Sequence, residues 1–326
     1  MGETGAVTRR GLRSLALLWR RARGLRVVTP FGPRTRRAAL RLVFFAPALL
    51  LLVFLVVYPI VQTVFLSFVG PGGQPTLGNY RTVLSDPDTL NPNWFSWPPP
   101  LGTLIHNGLW VAIHLPISVL FGLWLALILR DVKGASIVKS AIFLGMVTPM
   151  IVGGIILQFL YESGPGIVPA FFGAVGIKSL DISWLLYRQT SLLGLIFGSI
   201  WLWTGFSLIV YSAGLTTIPQ DYFEAAKIDG TPPLRMFFRI TLPLLRPMTL
   251  VIVTMTLLWE LKIFDIVYAA EGKTGGTAGS ANVLSLQMYL YFVTGKYGPA
   301  AVVATLLTVM TLFATAWLFR RMVRKT

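Results

Sequence analysis

The chain predicts an all-α, polytopic transmembrane helical bundle of about six spans, with a cytoplasmic loop of two short helices. Three observations carry that prediction. Apolar residues make up 55% of the 326 and charged residues only 12%. Six apolar runs exceed the roughly 18 residues that read as a membrane-crossing helix. These runs are far longer than the alternating strands of a membrane barrel, and a helix satisfies its own backbone where no water reaches. Finally, of the 28 lysines and arginines, 22 fall in the N-terminal stretch, alternate loops and the tail. Only Arg81, Lys178, Arg188, Lys273 and Lys296 lie in the other loops, with Lys262 inside a run. The positive-inside rule then places both termini in the cytoplasm.

The chain opens on a basic cytoplasmic arm, residues 1–37, and residues 38–326 form the spanning domain. Eleven arginines lie between Arg9 and Arg41, suited to anionic headgroups at on the order of 1 kcal/mol per charge. Arg9-Arg10 is not an export signal, because the apolar stretch after it, Leu15 to Trp19, is too short. The first span, Leu40 to Phe68, lacks a small-residue cleavage site and reads as a retained helix. An outer segment from Gly70 to Thr103, with Trp94, Trp97 and Pro98-Pro99-Pro100, favours turns and an ordered cap.

The second span, Leu104 to Leu129, carries His106 and His114. No companion ligands accompany them, so they read as hydrogen-bonded bundle residues rather than metal ligands. The third span runs from Ile137 to Tyr161. A second outer segment, Glu162 to Thr190, is interrupted by Pro165 and Pro169 and places Trp184 and Tyr187 as interfacial aromatics. The fourth span, Leu192 to Ala213, leads into a polar loop, residues 214–247. The fifth and sixth spans cover Met248 to Ala270 and Pro299 to Phe319. The absence of cysteine excludes disulfides and thiol chemistry. The net charge of +16 follows the topology, which argues against a nucleic-acid partner.

From Thr217 the polar loop reads TIPQDYFEAAKIDGTPPLRMFFRITLPLLRP. Two short helices fit, one carrying Tyr222 to Ile228 and ended by Gly230, the other starting at the prolines, where a missing N–H costs little. On the first, Tyr222, Ala225 and Ala226 share a face that can seat in a groove of another protein. Glu224-Ala225-Ala226, Asp229-Gly230 and Ile240, Leu242-Pro243 keep the spacing of a known signature. In it the loop resembles that of the binding-protein-dependent inner-membrane permeases of ATP-binding-cassette importers.

The resemblance extends over most of the chain beyond the arm. Leu77-Gly78-Asn79-Tyr80, Gly122 to Leu127, Ile200 to Phe206 and Phe264 to Tyr268 are similar to the sugar-uptake type. They point especially to the larger maltose permease subunit and the glycerol-phosphate permease. The loop departs from the family at Thr231-Pro232-Pro233, where a small residue is more usual.

The resemblance implies that Glu224, Ala225, Ala226, Asp229, Gly230, Ile240, Leu242 and Pro243 engage a separate ATPase. It also implies a second related permease, an ATPase dimer, an extracytoplasmic sugar-binding protein and a place in the bacterial plasma (inner) membrane. ATP and Mg belong to the partner ATPase, and this chain binds no cofactor. Its own sequence agrees. The only Gly-Lys-Thr is Gly272-Lys273-Thr274, and Val267 stands where a phosphate loop needs glycine. No catalytic residue is expected.

Intramembrane charges are costly and mark candidate sites. The fifth span carries Glu260, Lys262 and Asp265. Lys262 and Asp265, three apart, can pair on one helical face. Glu260 shares a stripe with Thr256, Ile263 and Phe264, able to offer acceptors to sugar hydroxyls. In the fourth span Leu202, Trp203 and Phe206 lie on one side and match family positions that contact sugar. Aromatic faces suit the C–H faces of pyranose rings. The expected cargo is a disaccharide or oligosaccharide. Glycerol-phosphate or another small solute is the alternative, and an ion-coupled transporter depending on Glu260 or Asp265 is a more distant one.

Overall fold

In the computed structural model the described residues are 33–323, with side chains for 43–321. The basic arm before residue 33 therefore lies outside the described residues. The chain divides into two compact units, one ending at Ile60 and the other beginning at Val61. The first contains α1 (Pro33–Leu52) and a π-helical turn, Val53–Val57. Helix α2 (Tyr58–Ser67) begins in the first unit and ends in the second. Val43–Ser67 is long and apolar enough to cross a membrane.

The second unit is helical throughout its spans. Helix α3 (Gly78–Leu84) sits in the cap segment. Next come α4 (Thr103–Leu109), a π-helical turn Trp110–His114 and α5 (Leu115–Ile128), which together make the second span. The third span is two helices, α6 (Ala135–Val147) and α7 (Met150–Leu160), bent by 101°. Thr148-Pro149 makes that bend, since proline disfavours helical backbone in the residue before it. Helix α8 (Ile167–Ala174) lies in the following segment, and α9 (Ser191–Thr216) is the fourth span.

The polar loop holds α10 (Gln220–Ile228), α11 (Pro233–Met236), a π-helical turn Phe237–Thr241 and α12 (Leu242–Leu244). Helix α13 (Arg246–Leu261) leaves it at 64° to the Pro233–Leu244 segment. The chain ends with α14 (Asp265–Glu271), α15 (Leu284–Val293) and α16 (Tyr297–Val323). Among the described residues four helices are long and apolar enough to span, or up to six if each bent pair counts as one.

Besides the bend in the third span, which the sequence reads as one run from Ile137 to Tyr161, two features differ from the sequence expectation. The fifth span is not continuous to Ala270. It stops at Leu261, and Phe264 (φ −143°) breaks the helix before α14 begins. Helix α15 is the second, because a helix of ten residues, mostly apolar, is too short to register as a span.

Helix α9 is the hub, packed on α5, α6 and α13. Small residues allow the close crossings. A Cβ on Gly205 would lie 2.9 Å from both Ile142 O and Phe143 Cα, and one on Gly145 would meet Trp201. Membrane helices associate through such small-residue contacts rather than through hydrophobic exclusion.

The cap is ordered by polar ties to α15. Tyr291 Oη donates to Asp86 Oδ2 (2.5 Å), Gln287 Nε2 to Thr89 Oγ1 (2.7 Å) and Thr103 Oγ1 to Gln287 Oε1 (2.6 Å). Arg188 Nε donates to Pro99 O (2.7 Å), joining the cap to the segment before α9.

Glu271 closes α14 beside this cap and accepts a 2.6 Å hydrogen bond from Ser191 Oγ. Burial pushes its carboxyl up to about 7, and the Ser191 bond opposes that shift. Unfolded, the same acid titrates near 4.5. The folded state therefore loses stability as pH rises from there through about 7, because deprotonation favours the unfolded chain. Detergent-solubilised protein is expected to melt at lower temperature near about pH 8 than near about pH 5, and Glu271→Gln to reduce that difference. An identical pH slope in the variant would rule out Glu271 as its source.

Candidate functional site

Two regions carry the residues singled out from the sequence. In the polar loop, α10 ends in a glycine cap. Gly230 has φ +66°, its N–H donates to Lys227 O (3.0 Å), and Thr231 N–H donates to Ala226 O (2.9 Å). This pairing closes a helix through a left-handed residue, which glycine adopts without steric cost. Arg130, just past α5, places its guanidinium 4.8 Å from the Phe223 ring centroid and so fastens α10 to the second span. Glu224, Ala225, Asp229, Gly230 and Pro243 are exposed, Ile240 and Leu242 half-buried. Ala226 differs from the expected shared face. It is buried against its own bundle, leaving Tyr222 and Ala225 on the open side.

The second region is the break between α13 and α14. A cavity of about 340 Å³ opens there, within the ~300–1,000 Å³ of small-molecule sites. Trp203 and Trp259 form one wall, with ring centroids 3.8 Å apart. Ile263, Phe264, Lys262 and Asp265 come from the break itself. Met146 and Met150, on either side of the bend in the third span, complete the lining. The sequence reading missed both. The signal lay in Pro149, which marks an interrupted span, a common way to build a midplane site.

Of the fourth- and fifth-span candidates, Trp203, Ile263 and Phe264 reach the cavity. Leu202 is fully buried, and Phe206 packs against Trp259 from behind, at 5.7 Å between centroids. Glu260 is 1% exposed and turns away from the cavity, with Oε1 2.7 Å from His114 Nδ1. Lys262 and Asp265 do not form the expected ion pair. Among the described residues the His114–Glu260 pair is the only one within ion-pair distance. A three-residue spacing brings side chains together only on a continuous helix, and the helix is interrupted between them.

The second span clamps this break. Asn107 Nδ2 donates to Glu260 O (3.2 Å), while its Oδ1 accepts Leu284 N–H (2.8 Å) at the start of α15. His114, two turns further along the same span, holds the Glu260 side chain. Asn107 Nδ2 also lies 3.4 Å from Leu261 O, giving the last carbonyl of α13 a partner, as a buried helix terminus requires. His106 accepts Leu101 N–H at Nε2 (3.0 Å), so its Nδ1 carries the proton donated to Asn282 O (2.7 Å). Both histidines are hydrogen-bonded within the bundle.

A family model described as "Binding-protein-dependent transport system inner membrane component" matches residues 118–326. A probable ABC transporter permease protein of Pyrococcus horikoshii is 54% identical over 85% of this chain and 96% of its own length. The alpha-glucoside transport system permease protein AglF of Rhizobium meliloti is 30% identical over 86% of this chain and 82% of its own length. In fold, the chain is similar to a chain of a bacterial alginate ABC transporter solved in complex with an alginate pentasaccharide-bound periplasmic protein. The TM-score there is 0.71 at 19% identity, covering 89% of this chain and 97% of the other.

Proposed function

Because the chain belongs to the binding-protein-dependent transport system inner membrane component family, we propose that it is one transmembrane subunit of an ATP-driven importer for a disaccharide or oligosaccharide. The observation that carries the cargo class is the cavity at the break. Trp203, Trp259 and Phe264 supply aromatic surface beside free polar groups on Lys262 and Asp265. Aromatic faces suit the apolar faces of sugar rings, and a few placed polar groups fix hydroxyls. The alpha-glucoside permease supports the same class.

In this reading the chain pairs with a second, related permease and receives cargo from an extracytoplasmic binding protein. Both termini and the loop around Glu224 face the cytoplasm. There Glu224, Ala225, Asp229 and Gly230 engage one ATPase of a dimer, with Ile240, Leu242 and Pro243 completing the contact. ATP and Mg are held by that ATPase. Its closure pulls the loop and rocks the helices around the cavity, so cargo enters on one side and leaves on the other. Leu202, Phe206 and Glu260 support the cavity wall from behind, and Ala226 anchors the loop. This subunit performs no covalent chemistry.

Proteoliposomes carrying the complete complex and its binding protein are expected to accumulate labelled oligosaccharide only with ATP inside, on the ATPase side. Uptake by this chain alone, driven by an ion gradient, would overturn the reading.

A further inference from the structure

A second cavity of about 570 Å³ lies on the other side of the α13–α14 break, between it and α15 and α16. It shares Lys262 and Phe264 with the aromatic cavity and adds Ser285, Thr308 and Thr311. Lys262 is its sole charged lining residue and is exposed, with no ion-pair partner among the described residues. The threonine hydroxyl protons are already committed. Thr308 Oγ1 donates to Ala304 O (2.8 Å) and Thr311 Oγ1 to Leu307 O (2.9 Å). Their remaining lone pairs are acceptors for a ligand's hydroxyl protons.

The ammonium has the opposite requirement. It brings up to three N–H donors and a charge that is costly within a membrane unless neutralised. Asp265 lines the aromatic cavity but not this one, so an anion is disfavoured on the aromatic side and accommodated on the other.

We propose that this second cavity is a cargo subsite for a carboxylate-bearing sugar unit, with Lys262 as its ion partner and Thr308 and Thr311 accepting its hydroxyls. A neutral ring of the same cargo lies against Trp203, Trp259 and Phe264. Phe264, shared by both cavities and stacked on Tyr268 at 5.3 Å between centroids, divides the two subsites. This rests on the saccharide reading above and adds its charge preference and a minimum length of two units.

The test is equilibrium binding of labelled maltotriose, and of maltotriose oxidised at one terminal C6 to a carboxylate, to the complete complex in nanodiscs. A charge-assisted bond predicts roughly tenfold tighter binding of the acid form. Lys262→Gln should bring the acid form down to the affinity of the neutral one, Lys262→Arg should retain most of the preference, and added salt should weaken it. Equal affinities in the native complex, or a preference that survives Lys262→Gln, would overturn the subsite while saccharide import stands. Binding of neither form, by a complex whose ATPase responds to another class of solute, would overturn both.

Discussion

Gly230→Pro is expected to abolish ATP-driven uptake, by at least about tenfold, while leaving the spans folded. Proline fixes φ near −65°, whereas this position sits at +66°. It also has no N–H for the bond to Lys227 O. The residue before proline is driven out of helical backbone as well, so Asp229 and the end of α10 shift with it. Alanine grades the effect. A Cβ at Gly230 meets no atom within 4 Å, leaving only the left-handed penalty of about 1–2 kcal/mol, and partial activity is expected. The measurements are uptake and cargo-stimulated ATP hydrolysis by the reconstituted complex, with the melting temperature as a check on folding. Wild-type coupling in the proline variant would remove the α10 cap from any role in engaging the ATPase.

His114→Leu is expected to destabilise the bundle by roughly 1–3 kcal/mol, the cost of leaving a buried polar group without its hydrogen-bond partner. His114 is fully buried and Glu260 is 1% exposed, so water does not replace the missing partner. The double variant His114→Leu/Glu260→Leu removes both polar groups and should recover much of the loss. Glu260→Gln, which keeps a hydrogen-bonding group facing the imidazole, should cost less than either leucine single variant. Denaturant unfolding in detergent micelles measures all four. Additive losses in the double variant would show that the two side chains do not act as a pair.

The spans were legible because an unbroken apolar run of about twenty residues matches the thickness of a bilayer and little else. The polar loop was legible because glycine and the prolines punctuate it. The interruption at Lys262 was harder to see. Apolar residues flank it, and hydropathy registers composition rather than the direction of a carbonyl. What stabilises the break is Asn107, more than 150 residues away in sequence, and such a contact has no local signature. The same limit applied to Glu260. Its residue type marked it as unusual, but only the third dimension shows that His114 takes its carboxyl group. Met146 and Met150 reach the cavity because Pro149 bends the third span, and the hydropathy of that segment runs on through the bend.

Helix α13 joins the two regions without a joint. It runs from Arg246, at the end of the polar loop, to Leu261 at the cavity, with no proline past its first turn. Sixteen residues make a rod of about 24 Å. A displacement at its loop end is therefore delivered to its far end undiminished, as by a connecting rod. Because Asn107 fastens that far end also to Leu284, the stroke is shared with α15. Cargo contacts on both faces of Phe264 would then be remade in a single movement.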